Sequence, residues 1–356
     1  MYPLTFKNNL ANLLLKMINH PSFEIAEILQ TASFINHLAG QTILITGATG
    51  LIGSAIVEVV TLFNKTAQEP IMLVLLVRNI EQAKSKLNTN EHIYFLEGCI
   101  ENIPFIKEEI DYIIHCASPT SSQDFIKNPA DVLKTSLMGS FNILELAKNT
   151  KIKKVLFLSS LEVYGTLDTF EAKETDHGVI DWTAARSSYI EAKRASESIF
   201  LSYYKQFNVP CIIARLPQIL TSSFSYKDSR VYAQFVRAVK SQQNIVLKSK
   251  GETIRNYCYI TDAIVGLLLL LTRGVPCEIY NVANEDTTCS IKEMAELLIE
   301  IGDNKHSQLI FDLSDDPAKL GYLPTVKIKL LSNKLRQLGW SPQVGLKQSL
   351  SRMLGK

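Results

Sequence analysis

Tyr189-Ile-Glu-Ala-Lys193 places a phenol and a primary amine four residues apart, on one face of a predicted helix. A lysine cation beside a tyrosine favours phenolate and draws the phenol below its usual pKa of about 10. Such a phenol can take the proton of a substrate hydroxyl while hydride leaves the same carbon. Tyr-x-x-x-Lys on its own also arises from ordinary helix packing. It becomes informative beside Ser159-Ser-Leu-Glu-Val-Tyr-Gly165, where Ser160 can hydrogen-bond the same hydroxyl and hold it in line with the tyrosine.

A second group of residues could bind an anion. Thr46-Gly-Ala-Thr-Gly-Leu-Ile-Gly53 sits between a predicted strand and a predicted helix. Gly47 permits a tight turn, Gly50 lets backbone approach a pyrophosphate, and Gly53 lets the helix pack closely. Amides at the helix start then face the phosphates. The spacing and its context predict a dinucleotide site. Arg78 follows the second predicted strand, where an NAD-selective site usually places an acid on the ribose. An arginine there suits a 2′-phosphate and leans to NADP; a solvated surface arginine is the alternative reading.

The elements that must position these groups alternate short apolar runs with helical patterns, the signature of β-α-β units. Strands are predicted at 42–46, 72–77, 93–96, 112–115, 154–158 and 211–215. Helices are predicted at 51–62, 81–87, 129–148 and 189–206. The fold class expected is α/β, a Rossmann-like doubly wound parallel sheet with a smaller C-terminal substrate-binding lobe. The boundaries expected are an N-terminal helical extension over 1–40, an NAD(P)-binding domain over 41–216 plus 256–283, and the substrate lobe over 217–255 plus 284–356. Residues 217–230, rich in Ser, Thr and Asp, read as a loop facing substrate. Leu4, Leu10, Leu14, Met17 and Ile18 fall at near-helical spacing and predict a helix packed on the domain or on a partner copy.

Composition removes other classes. The 356 residues carry 37 Lys+Arg against 35 Asp+Glu, a net charge of +2, with no electrostatic case for nucleic acid or an anionic membrane. At 46% hydrophobic and 20% charged, the chain is not of disordered type. Its longest leucine run, Leu267 to Leu271, is far short of the ~20 apolar residues of a membrane span. No signal-peptide pattern opens the sequence. The six cysteines are scattered without a C-x-x-C pair, and a reducing cytoplasm is the compartment expected. Neither H-E-x-x-H nor a Cys/His spacing occurs, so no protein-built metal site is expected.

Taken in order, these motifs resemble a known family, the extended short-chain dehydrogenase/reductases that act as nucleotide-sugar epimerases and dehydratases. The resemblance runs from 41 to about 345 through the glycine loop, His115-Cys-Ala-Ser118, Ser-Ser-x-Glu-Val-Tyr-Gly, Tyr-x-x-x-Lys, Arg255-Asn-Tyr-Cys-Tyr-Ile-Thr-Asp262 and Leu338-Gly-Trp-Ser-Pro342. It implies Tyr189 as base, Lys193 as its partner and ribose contact, Ser160 as hydroxyl orienter, and Glu162 in the chemistry at neighbouring carbons. It implies contacts to bound NAD or NADP from Gly47, Thr49, Gly50, Leu51, Ile52, Gly53, Arg78, Ala117, Ser118, Tyr189 and Lys193. A nucleoside-diphosphate sugar would meet Ser118, Arg230 and Arg255, the arginines suiting phosphate geometry. For Arg230 an exposed loop charge is the alternative. Asp262 reads as a helix N-cap rather than a catalyst. A homodimer through the two long helices is also implied.

Departures from the family pattern are Cys99 in place of an acid near adenine, Ser136 in place of an asparagine, and Gln218-Ile-Leu-Thr-Ser222 in place of Asn-x-x-Gly-Pro. The implied chemistry starts with oxidation at sugar C4. Epimerisation, 4,6-dehydration or loss of a C6 carboxylate can follow. Glu162 is kept in relatives that dehydrate or decarboxylate. Dehydratases place an aspartate just before it, and Leu161 here cannot donate a proton. The Tyr189–Glu197 run looks most like UDP-glucuronate decarboxylases, yet their Arg-Lys-Pro segment has no counterpart between Gly321 and Leu338. The expected function is an NAD(P)-dependent epimerase or dehydratase-type enzyme. UDP-glucuronate decarboxylase and NADPH-dependent 4-keto-sugar reductase are the alternatives, and a non-catalytic dinucleotide-binding protein is the reading of another class.

Overall fold

A computed structural model describes residues 23–120, 122–184, 186–226, 228–303, 306–313 and 325–356. The helix expected around Leu4 to Ile18 lies outside the described residues. The described chain runs α1 (Phe23–Thr31), β1 (Thr42–Thr46), α2 (Leu51–Asn64), β2 (Met72–Val77), α3 (Ile80–Lys84), β3 (Ile93–Glu97), β4 (Tyr112–His115), α4 (Ser122–Lys127), α5 (Pro129–Lys148) and β5 (Lys154–Ser160). It continues through β6 (Glu171–Ala172), α6 (Ser187–Phe207), β7 (Cys211–Leu216), β8 (Gln218–Leu220), α7 (Val231–Lys240), β9 (Ile245–Leu247), β10 (Ile254–Tyr259) and α8 (Ile260–Arg273). The last elements are β11 (Ile279–Asn281), β12 (Asn284–Ser290), α9 (Ile291–Gly302), β13 (Leu309–Phe311), β14 (Lys329–Leu330), α10 (Asn333–Gln337) and α11 (Leu346–Leu354).

Two compact units emerge. One takes the chain up to Ser159 with Ser188–Ala214 and Ile264–Tyr280; the other takes Ser160–Ser187, Arg215–Ala263 and Asn281–Lys356. The first is organised on a seven-stranded sheet in the order β11-β7-β5-β4-β1-β2-β3. The pairs β1/β2, β1/β4, β2/β3 and β4/β5 are parallel. Chain order reverses between β1 and β4, so this is a Rossmann-like doubly wound sheet with its switch point there.

The strands can sit at the centre because they are apolar on both faces. Leu73 to Val77 of β2 and Ile43 to Ile45 of β1 are all buried, as a helix-covered parallel sheet requires. Leu44, Val74, Ile113, Val155 and Phe157 pack with Ile143 and Leu144 of α5 and Phe200 of α6 in one core. Each such side chain contributes about 1.5–3 kcal/mol by leaving water. Helix α5 starts at Pro129, whose missing amide hydrogen costs nothing at a first helical position.

The local expectations need adjusting at several boundaries. Helix α3 stops at Lys84, before the predicted 87, and the Ser85 hydroxyl donates to Gln82 O. Strand β5 runs on to Ser160, and α6 starts at Ser187. Within the stretch read as a loop, Gln218–Leu220 forms β8, paired in parallel with Tyr257 to Tyr259 of β10. Three residues carry no periodicity that could have signalled it.

The second unit holds a three-stranded sheet, β12-β10-β8, and the two-stranded pairs β13-β9 and β14-β6. Leu161, Val163, Tyr164, Ala172, Ala283, Ile328 and Leu330 form its small core. Asp262 is not the N-cap expected of it, because α8 already begins at Ile260. Its carboxylate instead accepts the amides of Gln343 at 2.8 Å and Val344 at 3.0 Å, and its carbonyl accepts Trp340 Nε1 at 3.0 Å. Asp262 thereby anchors the Gly-Trp-Ser-Pro segment through its carbonyl and the two residues after it through its carboxylate. Among the described residues no helix is long and apolar enough to cross a membrane.

Candidate functional site

The glycine loop occupies the switch point of the sheet. Thr46 closes β1 directly beside His115 of β4. Its hydroxyl meets His115 Nδ1 at 2.8 Å and accepts the Ala117 amide at 3.1 Å, pinning the two strand ends together. Gly47 follows at φ +68°, and a Cβ there would lie 2.8 Å from Ala117 N. A Cβ on Gly53 would lie 2.4 Å from Gly47 O, so this glycine lets α2 close on the turn that precedes it. Gly50 is the N-cap of α2 and supplies no capping side chain. The first-turn amides therefore remain for an anion. Thr49 and Gly50 are exposed, with Leu51 and Ile52 half-buried behind them. These residues fit a dinucleotide pyrophosphate.

Helix α6 presents a buried polar face, which is rare for charged residues. Tyr189, Lys193 and Glu197 lie one turn apart on it, at 8%, 5% and 5% exposure. The Tyr189 ring stacks on Phe125 of α4, centroids 4.3 Å apart and 16° from parallel. The Lys193 ammonium donates to Leu158 O of β5 at 2.7 Å and stands 4.8 Å from the Phe157 ring centroid. Burial pulls its pKa down to about 8, against the opposing influence of Cys116 and Glu197. His115 is pushed down to about 3 by burial and by the nearby Lys193 charge, and is neutral at ordinary pH. Ser159 donates to Glu197 Oε1 at 2.5 Å.

In the second unit, Ser160 ends β5 and caps the short turn Leu161–Tyr164, accepting the Glu162 amide at 3.2 Å. A hydroxyl used as acceptor keeps its proton for a substrate oxygen. Glu162 is held by Arg186: Nη2 donates to Oε1 at 2.5 Å and Nε to Oε2 at 3.2 Å. Leu161 belongs to the core beneath, away from any acid role. Tyr164 donates to Asn281 Oδ1 at 2.7 Å under the Arg215 guanidinium, anchoring the turn from below.

The remaining residues singled out in the sequence fall in varied settings. Arg78 is exposed after β2. At the matching end of β3, Glu97 pairs with Val77 in register and accepts the Ile80 amide at 3.4 Å. Ala117 and Ser118 follow β4, half-buried, the Ser118 hydroxyl donating weakly to Pro119 O. Arg230 is neutralised locally, Nε lying 2.9 and 3.0 Å from the two Asp228 oxygens. Arg255 is half-buried, and its Nε has no hydrogen-bond partner among the described residues. Sequence reasoning missed Arg186, Glu197 and Glu97. Only Glu197 carried a signal, its four-residue spacing from Lys193.

The model of the NAD dependent epimerase/dehydratase family matches residues 43–283. The chain belongs to that family. Among its curated relatives, UDP-glucuronic acid decarboxylase 1 of Danio rerio is 30% identical over 248 residues, 69% of this chain and 57% of that protein. The chain thus spans little more than half the length of the first curated relatives it matches. The family's solved structures include UDP-glucose 4-epimerase of Thermotoga maritima with UDP-glucose, at TM-score 0.73 and 21% identity over 88% of this chain and 98% of that one. UDP-glucuronic acid 4-epimerase of Bacillus cereus in complex with NAD aligns at TM-score 0.71 and 21% identity, covering 88% and 99%. These likenesses establish the fold.

Proposed function

We propose that this chain is an NAD(P)-dependent enzyme that acts on a nucleoside-diphosphate sugar, beginning with oxidation at sugar C4. The observation that carries the reading is the buried polar face of α6, with Tyr189 stacked on Phe125 and the Lys193 ammonium anchored on β5. A bound nicotinamide would supply the site that takes up and returns hydride. Tyr189 removes the C4 hydroxyl proton, Lys193 stabilises the phenolate and meets the cofactor ribose, and Ser160 donates to the reacting oxygen. The proposed cofactor contacts are Gly47, Thr49, Gly50, Leu51, Ile52, Gly53, Arg78, Ala117 and Ser118. Arg255, with its Nε unsatisfied, is the better diphosphate contact; Arg230 would first have to exchange Asp228 for phosphate.

The division of labour proposed is cofactor on 41–216 plus 256–283 and sugar nucleotide on 217–255 plus 284–356. Copies would pair through α5 and α6, whose Met138, Phe141 and Phe207 are exposed, in a reducing cytoplasm. A panel of UDP-, dTDP-, CDP- and GDP-sugars should give product with no net change in NAD(P)H. Consumption of added NADPH in proportion to product would support a 4-keto-sugar reductase instead.

A second reading is UDP-glucuronate decarboxylation, the activity named for the 30% identical Danio rerio relative. For it, Arg186 would first have to exchange Glu162 for the C6 carboxylate, as Arg230 would exchange Asp228 for phosphate. A C6 carboxylate beside a C4 ketone is a β-keto acid, which loses carbon dioxide and leaves an enol to be protonated at C5. Release of carbon dioxide from UDP-glucuronate, and not from neutral sugars, would select this reading.

A further inference from the structure

Two hydrogen bonds join β5 to α6 as adjoining rungs. Lys193 Nζ reaches Leu158 O at 2.7 Å, and Glu197 Oε1 receives Ser159 Oγ at 2.5 Å. Leu158 and Ser159 are consecutive, Lys193 and Glu197 are a helical turn apart, and all four residues are buried. A buried carboxylate is costly unless charge or hydrogen bonds compensate it. One hydroxyl is a modest share of that compensation. The opposite charge a turn away on α6 adds to it.

The groups facing the Lys193 ammonium come from three elements. Helix α6 brings Glu197, whose charge acts on the ammonium, and carries Tyr189 one turn to the other side. The end of β4 brings His115 and Cys116, and β5 brings the Leu158 carbonyl and the Phe157 ring. His115 is neutral well above pH 3, and the Cys116 thiol, pushed up to about 12 by burial, is uncharged where the ammonium titrates. Glu197 is left as the opposing charge among these groups.

We propose that Glu197 is a positioning residue that, moored on Ser159, keeps the Lys193 ammonium charged and fixed at the end of β5. The same mooring holds Ser159, the residue immediately before Ser160. The inference rests on the reading of Lys193 as the partner of Tyr189, and it deepens that reading.

The test is an NMR titration of protein carrying labelled lysine side chains, with Lys193 assigned by comparison with Lys193→Arg. It needs neither substrate nor cofactor. In Glu197→Gln, which keeps an acceptor for Ser159 and removes the charge, the Lys193 midpoint should fall by about one pH unit. Glu197→Asp should restore part of the shift. Ser159→Ala, with the charge kept and the mooring lost, should move the midpoint less than Glu197→Gln does. The alkaline limb of any turnover profile should move down with the midpoint. A midpoint unchanged in Glu197→Gln overturns the proposal. If that variant does not fold, Ser159→Ala and Glu197→Asp decide it: two unshifted midpoints overturn it equally. A shifted midpoint in a protein that turns over no nucleotide sugar would refute the proposed activity and leave this inference standing.

Discussion

Arg186 holds Glu162 with two arms of one guanidinium, at 2.5 and 3.2 Å, and their side chains are only 18% and 14% exposed. A planar fork on a carboxylate fixes orientation as well as charge. Arg186→Ala should strand the Glu162 carboxylate and cost about 2 kcal/mol, read as a lower urea midpoint. Arg186→Lys, which restores a charge without the fork, should recover only part of that loss. Both should lower kcat/KM, the alanine variant by at least about tenfold.

Tyr189→Phe separates packing from chemistry. The stacking on Phe125 survives the loss of one oxygen, so stability should stay within about 1 kcal/mol of the parent protein. Turnover should fall by about 10²–10⁴-fold, the usual worth of a positioned general base. Unchanged turnover in single-turnover assays would remove Tyr189 from the chemistry.

The glycines of the loop should divide by variant. Gly47→Ala meets both a left-handed backbone, φ +68°, and Ala117 N at 2.8 Å. It should destabilise by about 2 kcal/mol or more in thermal unfolding. Gly50→Ala meets only Gly47 O at 3.2 Å. It should fold normally yet weaken dinucleotide binding in calorimetry, because its methyl group would stand where the pyrophosphate approaches.

His115 gives the fold an acid sensitivity. Its pKa falls from 6.5 to about 3 in the folded protein. Below the unfolded value the unfolded chain takes up the proton and the folded one does not. Stability is therefore whole above about pH 6.5 and is lost progressively as pH falls toward 3, by at most about 1.4 kcal/mol per unit. Urea midpoints across pH 7 to 4 should show the slope, and His115→Gln should flatten it.

Arg78 and Glu97 stand at neighbouring strand ends with opposite preferences for a ribose phosphate. If Arg78 sets cofactor choice, Arg78→Ala should weaken NADPH binding by about tenfold, a charge-assisted hydrogen bond's worth, and leave NADH unchanged. If Glu97 sets it, Glu97→Ala should weaken NADH alone. Fluorescence titration with both cofactors checks each outcome.

The parallel strands, the glycine turn and the shared face of Tyr189 and Lys193 were all legible in the sequence, because each depends on neighbours within a turn or on a run of apolar residues. Helix α5 matched its predicted span of 129–148 because Pro129 marks its start locally. Spacing could not say which partner a polar side chain would choose. Ser159 and Glu197 are 38 positions apart, and Glu162 and Arg186 are 24 apart. Asp262 looked like a cap for its own helix and instead secures amides more than 80 positions away. A strand or a helix is selected by backbone geometry that recurs every two or 3.6 residues. A hydrogen-bond partner is selected by whatever the completed fold brings within about 3 Å, and only the tertiary structure decides that.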